Sequence, residues 1–253
     1  MSGHPGHRPG GTPVPGHEEW ETGALGDGVL RDITPAAAAD TAVLLLPGAG
    51  GDADDFARWP GRLGPRFRLL AARYPRPAGG IVLLARTLAD RVRAHVPEPL
   101  VVLGHSMGAL LAYELAWRLQ SLRSPALALY ACAAFSPAQY SAMAVDEEAL
   151  ADGARALGLS PPRDEGRGTV VPEAARHDLA MIDAYRYGPV PRLLDYPVTV
   201  VTAREDPVVP PSAVQGWAAV SRHPLTLHSV PGGHHSPLYD AGPLARLLCR
   251  AHA

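Results

Sequence analysis

The chain has 253 residues and a formal net charge of −2, so neither a nucleic acid nor an anionic membrane surface is an expected partner. A hydrophobic share of 47% and a charged share of 19% fit one sizeable globular core, and a single α/β domain commonly reaches this length. No apolar run attains the length of a membrane span, and the N-terminus lacks the apolar stretch of a secretion signal, so the expected location is the cytoplasm. All 23 basic residues are Arg, and the absence of Lys removes lysine nucleophiles and Schiff bases from consideration. Cys132 and Cys249 alone make neither a disulfide framework nor a zinc site. Cys132 stands in an apolar run and is expected to be a buried, small side chain.

Residues 1–22 are rich in Gly, Pro and His without hydrophobic period and read as a disordered tail, leaving one domain over 23–253. Their histidines (His4, His7, His17) predict no functional metal site. From Thr41 onward, short apolar runs alternate with helical patterns. A strand at 42–46 ends in the turn string PGAGG and is followed by a helix-like stretch at 54–63. A strand at 67–72 precedes helical spacing at 81–95. The strand LVVL (100–103) runs into GHSMG and the helix 109–119, and another apolar run covers 125–134. Continuous apolar strands separated by helices predict a mostly parallel sheet covered on both faces, the doubly wound α/β class. Between about 136 and 176 strand signals stop. A helix candidate at 146–157 and the loop SPPRDEGRG predict a lid insertion there, with Leu150, Leu157 and Leu159 as candidate liners of an acyl channel or as packing. Strands at 197–202 and 225–230 and a last helix at 238–250 complete the pattern.

The string LVVLGHSMGALLAYELA carries the chemistry. An apolar strand ends at Leu103 and a helix begins at about Met107, so Ser106 falls on the strand-to-helix turn. Gly104 and Gly108 supply a turn too tight for Cβ atoms, which pushes the hydroxyl clear of the backbone. The N–H of Met107, at the helix start, aims at a developing oxyanion. A serine nucleophile needs a base, and the base needs an orienting acid; in a sheet of this kind the chain order is Ser, acid, His. After the strand at 197–202 come Glu205 and Asp206, of which Asp206 is favoured because Pro207 fixes the turn behind it; Glu205 reads as a solvated neighbour, and Asp195 precedes its strand. After the strand at 225–230 come His234 and His235. His234 follows two glycines that allow close approach, with His235 as the alternative. His105 reads as a neighbour in the elbow, and His177, His223 and His228 as structural or solvent-facing. The loop Pro47-Gly48-Ala49-Gly50-Gly51 should give the second oxyanion N–H, from Ala49 or alternatively Gly50. It lacks the Gly-Lys-Ser/Thr ending of a phosphate loop.

Together these strings resemble the type II thioesterases of modular polyketide and nonribosomal peptide synthases. LGHSMGALLAYELAWRL is similar to that family's elbow and helix, and TAREDPVVPPSAVQGW to its acid loop, followed by a helix bearing Trp217. PGGHHSPL resembles its Gly-Gly-His loop, and RHDLAMIDAYRYGP the segment from lid to sheet. The likeness implies the α/β-hydrolase fold, with a helical lid, a Ser106–His234–Asp206 triad and oxyanion donors at Ala49 and Met107. It implies hydrolysis of acyl groups from the phosphopantetheine arm of an acyl or peptidyl carrier domain by a monomer, without metal or other cofactor. A general carboxylesterase or lipase, a cyclising or acyl-transferring enzyme, and a non-catalytic carrier-binding protein are the alternatives. Three departures bear on substrate choice: Gly48 where the family usually has His, His235 where it has an aromatic, and Tyr74-Pro75-Arg76-Pro77 in place of Tyr-Pro-Gly-Arg.

Overall fold

The six apolar runs become strands of an eight-stranded sheet in the order β1-β2-β4-β3-β5-β6-β7-β8. In chain order these are β1 (Gly23–Leu25), β2 (Leu30–Asp32), β3 (Thr41–Leu46), β4 (Phe67–Ala72), β5 (Leu100–His105), β6 (Ala128–Cys132), β7 (Val198–Ala203) and β8 (Thr226–Val230). Among the described residues the pairs β1/β2 and β2/β4 are antiparallel and the other strand pairs parallel. The computed structural model describes residues 23–25, 27–34, 39–143, 155, 171–190 and 192–252. The expected tail at 1–22 and, Arg155 apart, the expected helix at 146–157 with Leu150, Leu157 and Leu159 lie outside these residues.

The central strands are mostly apolar because both of their faces are covered. Ala42, Leu44 and Leu46 of β3 and Val102 of β5 join a core under α1 (Ile81–His95) and α2 (Met107–Ser121). Val43 and Leu45, with Val101 and Leu103, face the opposite core, built with Phe56, Trp59, Leu244 and Leu248. The period of two survives, but both phases are hydrophobic, as expected of a parallel sheet between layers. Helix α2 is apolar almost all round, and its buried Glu114 is answered by Arg192 and by the Tyr185 hydroxyl at 2.6 Å. A buried carboxylate without such partners would cost several kcal/mol.

Three local outcomes differ from the sequence pattern. The helix expected over 54–63 is a single 3₁₀ turn, Ala53–Phe56. Pro60 and Gly61, the latter at φ 79°, end any helical continuation, while Phe56 and Trp59 pack edge-to-face at 6.2 Å in the core. The last helix splits into α5 (Ser236–Tyr239) and α6 (Ala241–Ala251). A continuous helix would drive the Pro243 ring into the carbonyl four residues earlier; in the first turn of α6 the ring is tolerated. The segment after the acid loop, carrying Trp217, is 3₁₀ from Pro211 to Val220. Within the expected lid range stand α3 (Pro137–Ala142) and the start of α4 (Glu173–Asp183). Helix α3 has a readable signal: Ser136 and Gln139 form a capping box and Pro137 occupies the first turn.

Candidate active site

Ser106 sits between β5 and α2 with φ 53° and ψ −122°, a left-handed conformation that a non-glycine residue adopts only when its surroundings hold it there. The holding is visible. Its N–H donates to the Cys132 carbonyl of β6 at 2.9 Å, and its own carbonyl accepts from Ala109 at 2.9 Å. A Cβ on Gly104 would lie 2.5 Å from the Ala109 Cα, and one on Gly108 would strike the Leu46 and Pro47 carbonyls. The elbow therefore needs glycine at both positions, as the GHSMG string predicted. The Tyr140 hydroxyl, buried on α3, lies against the Ser106 side chain, and burial pushes that phenol well up. No sequence pattern singled out Tyr140.

The loops after β7 and β8 bring Asp206 and His234 together. His234 Nδ1 lies 2.9 Å from Asp206 Oδ2 and 3.1 Å from Oδ1, with both side chains at most 2% exposed. Asp206 Oδ1 also accepts the N–H groups of Val208 (2.8 Å) and Val209 (3.0 Å). Burial alone would raise this carboxyl; the hydrogen bonds from His234 and the two backbone N–H groups outweigh it and hold the group below the usual carboxylate range. The other ring nitrogen, His234 Nε2, is buried with no hydrogen-bond partner among the described residues. His235, the alternative base, stacks instead on Tyr239 at 5.5 Å. Glu205 is exposed, as expected of a solvated neighbour, and also bonds across to the histidine loop: its carboxylate accepts the Gly232 N–H, and its N–H donates to the Gly232 carbonyl at 3.0 Å. It thus fastens the acid loop to the histidine loop. Asp195 pairs with Arg222 at 2.7 Å, ahead of β7.

His105 does more than neighbour the serine. Its Nε2 is 2.8 Å from the His234 carbonyl, and its ring packs 4.9 Å from the His234 ring. Burial, then the proximity of His234, pulls its pKa down to about 3, so the ring is neutral and Nε2–H donates to that carbonyl. A Cβ on Gly48 would lie 3.0 Å from His105 Nδ1 and 3.3 Å from Ser106 Cβ. A larger side chain at position 48 would require His105 to give way, which accounts sterically for glycine there.

The loop after β3 is fixed from several sides. Tyr74 donates its hydroxyl to the Pro47 carbonyl at 2.9 Å, and Arg76 Nη2 donates to the Gly51 carbonyl at 3.0 Å. The Gly51 N–H bonds to the Gly48 carbonyl at 3.1 Å, and the Gly50 N–H to Asp178 Oδ2 at 2.9 Å. Gly50, the alternative oxyanion donor, thus has its N–H already engaged. Among the described residues no group of three or more His, Cys, Asp or Glu side chains is placed to hold a metal ion, and no helix is long and apolar enough to cross a membrane. Cys132 is buried in β6, where burial pushes its thiol well up.

A mostly parallel sheet, a strained serine at the strand-to-helix elbow and an Asp–His pair on the two following loops define an α/β-hydrolase. More narrowly, the chain belongs to the thioesterase domain family, whose model matches residues 41–249. A probable cadicidin biosynthesis thioesterase of Streptomyces griseus is 29% identical over 219 residues, covering 81% of this chain and 60% of that protein. The type II thioesterase BorB from the borrelidin biosynthetic cluster superposes with a TM-score of 0.73 at 29% identity, covering 87% of this chain and 96% of that one. The thioesterase RedJ from the prodiginine pathway of Streptomyces coelicolor gives 0.69 at 27% identity, over 86% and 88%. The chain is thus similar to the type II thioesterases named by its sequence motifs.

Proposed function

We propose that this chain hydrolyses acyl thioesters borne on the phosphopantetheine arm of acyl or peptidyl carrier domains, clearing stalled or wrongly loaded groups in polyketide or nonribosomal peptide biosynthesis. The observation that carries the chemistry is the orientation of His234: Nδ1 faces the Asp206 carboxylate while Nε2 is buried with no hydrogen-bond partner among the described residues, in a site that holds Ser106 at its elbow. In this mechanism His234 Nε2 takes the Ser106 hydroxyl proton as Oγ attacks the thioester carbonyl. Asp206 keeps the imidazole in the tautomer that presents a lone pair at Nε2, and stabilises the imidazolium once it forms. The N–H groups of Ala49 and Met107 meet the oxyanion. Ala49 is favoured because the Gly50 and Gly51 N–H groups have other acceptors. One such donor is typically worth about 3 kcal/mol of barrier. Collapse expels the pantetheine thiolate, a better leaving group than an alkoxide, so protonation of the leaving atom matters less than in amide or ester cleavage. The imidazolium gives its proton to the departing thiolate, which leaves as the free thiol with His234 neutral again. His234 Nε2 then takes a proton from water as the water oxygen attacks the acyl-enzyme carbonyl, and returns it to Ser106 Oγ as the free acid departs.

The partner assignment draws on the pathway names of the similar proteins, and the acyl chain is a matter for experiment. A panel of acyl groups loaded on a carrier domain tests the proposal, with free acid and free thiol both measured. Ser106→Ala should abolish release to the uncatalysed background, and an oxygen ester of the same acyl group should turn over far more slowly. Hydrolysis unaffected by Ser106→Ala would refute the mechanism. A macrocycle or transferred acyl group in place of free acid would refute the choice of water as acceptor.

A further inference from the structure

Asp178 is fully buried on α4, and the partners of its carboxylate, Gly50 and Arg76, lie far from it along the chain. Its Oδ2 accepts the Gly50 N–H at 2.9 Å and the Arg76 Nη2 at 2.9 Å, and its Oδ1 faces Arg76 Nε at 3.4 Å. Arg76 in turn donates to the Gly51 carbonyl, and the preceding residue of α4, His177, accepts the Ala78 N–H at 3.1 Å. One turn of α4 therefore grips the loop after β3 and the loop after β4 together. Burying a carboxylate costs several kcal/mol unless charge and hydrogen bonds answer it, so a merely space-filling residue would not be acidic here.

We infer that Asp178, working with Arg76, is a positioning residue for the oxyanion hole. Gly50 has φ 76° and no side chain, so its own sequence leaves the peptide plane between Ala49 and Gly50 free to rotate. Fixing that plane through the Gly50 N–H sets the ψ angle of Ala49 and hence the loop geometry on which the aim of the Ala49 N–H depends. The same bond removes the Gly50 N–H as a competing donor. Charged hydrogen bonds from a rigid helix suit this task, because an oxyanion donor acts only when held within a fraction of an ångström of its working position. The inference rests on the proposed role of Ala49 in thioester hydrolysis.

The test compares wild type, Ser106→Ala, Asp178→Ala, Asp178→Asn and Arg76→Gln, after thermal melting has identified which variants fold. An acyl boronic acid, which forms a tetrahedral adduct on the serine, reports binding of the transition-state shape; the product carboxylate reports ground-state binding. Asp178→Ala should lower kcat about 10- to 100-fold, short of the roughly 100- to 1,000-fold typical of losing a donor outright, with KM changed less than about threefold. Boronate affinity should fall by the same factor as kcat and product affinity should hold. Asp178→Asn keeps an acceptor for the Gly50 N–H and should recover most of the loss. Arg76→Gln, at a partly exposed position, should lie between wild type and Asp178→Ala, and it carries the test if the alanine variant does not fold. Wild-type kcat in the folded variants, or a loss of melting temperature with unchanged kcat and boronate affinity, would overturn the inference while leaving the triad intact. Turnover that persists in Ser106→Ala would instead overturn the underlying mechanism, and this inference with it.

Discussion

Gly108→Ala should damage both the fold and the catalytic rate, through one contact. The added Cβ would lie 2.8 Å from the Leu46 carbonyl carbon and closer still to the Leu46 and Pro47 carbonyl oxygens, where ordinary contact begins at 3.4 Å. Relief therefore requires a backbone shift of at least about 0.6 Å, the difference between those two distances. Neither side yields easily. Leu46 ends β3, paired with β4 and β5 and buried along its whole length, while Pro47 is held by the Tyr74 hydroxyl. Overpacking of this kind costs about 1–3 kcal/mol, and displacing the loop that carries Ala49 by a sizeable part of an ångström should cost about 10- to 100-fold in kcat. Urea unfolding followed by tryptophan fluorescence and release of thiol from a carrier-bound acyl group give the two readings. Gly64→Ala is the control, since nothing lies within 4 Å of a Cβ there. If Gly108→Ala matches Gly64→Ala in both assays, the steric account of the elbow is wrong.

Asp206→Asn should fold, because the amide oxygen can still accept the Val208 and Val209 N–H groups, yet lose about 10³- to 10⁴-fold in kcat by favouring the wrong imidazole tautomer; a loss under tenfold would sink the assignment. The depressed His105 makes stability depend on pH with a definite sign. Between its folded value of about 3 and its ordinary value near 6.5 the unfolded chain binds the extra proton, so stability falls as pH falls through that window. The slope from this residue approaches about 1.4 kcal/mol per pH unit, and His105→Gln should flatten it in urea titrations from pH 4.5 to 6.5. Asp206, held below the usual carboxylate range, adds a loss of the same sign only at lower pH, below the ordinary carboxylate value. An equally steep profile in His105→Gln would show that another group governs the window.

The elements that read clearly in the sequence are those whose pattern has one physical meaning. The strands at β3, β4 and β5 and helix α1 stand where apolar runs and helical spacing put them, because a strand buried on both faces has no other composition. GHSMG was legible because a Cβ at either glycine has nowhere to go. The three-residue strands β1 and β2 were invisible, since they are too short for a period and are held by pairing, β2 with β4 and β1 with β2. The helix expected over 54–63 failed because Pro60, Gly61 and the burial of Trp59 outweigh local spacing.

For the candidate site, local sequence named the residue types and their chain order: serine on an elbow, an acid after one strand, a histidine after the next. It favoured Asp206 over Glu205 through Pro207, His234 over His235 through the two preceding glycines, and Ala49 over Gly50, but on local grounds alone. The tertiary structure adds long-range contacts that set these neighbours apart. Asp206 reaches His234, Glu205 reaches Gly232, His235 turns to Tyr239, and Asp178 on α4 takes the Gly50 N–H. No periodicity could announce Asp178, Arg76 or Tyr140, whose surroundings exist only once the sheet has brought separate loops to one edge. Composition and spacing determined the layers and the elbow; partner choice among neighbouring polar groups was decided only by the assembled fold, because hydrogen bonds act over about 3 Å and the chain segments that make them lie far apart in sequence.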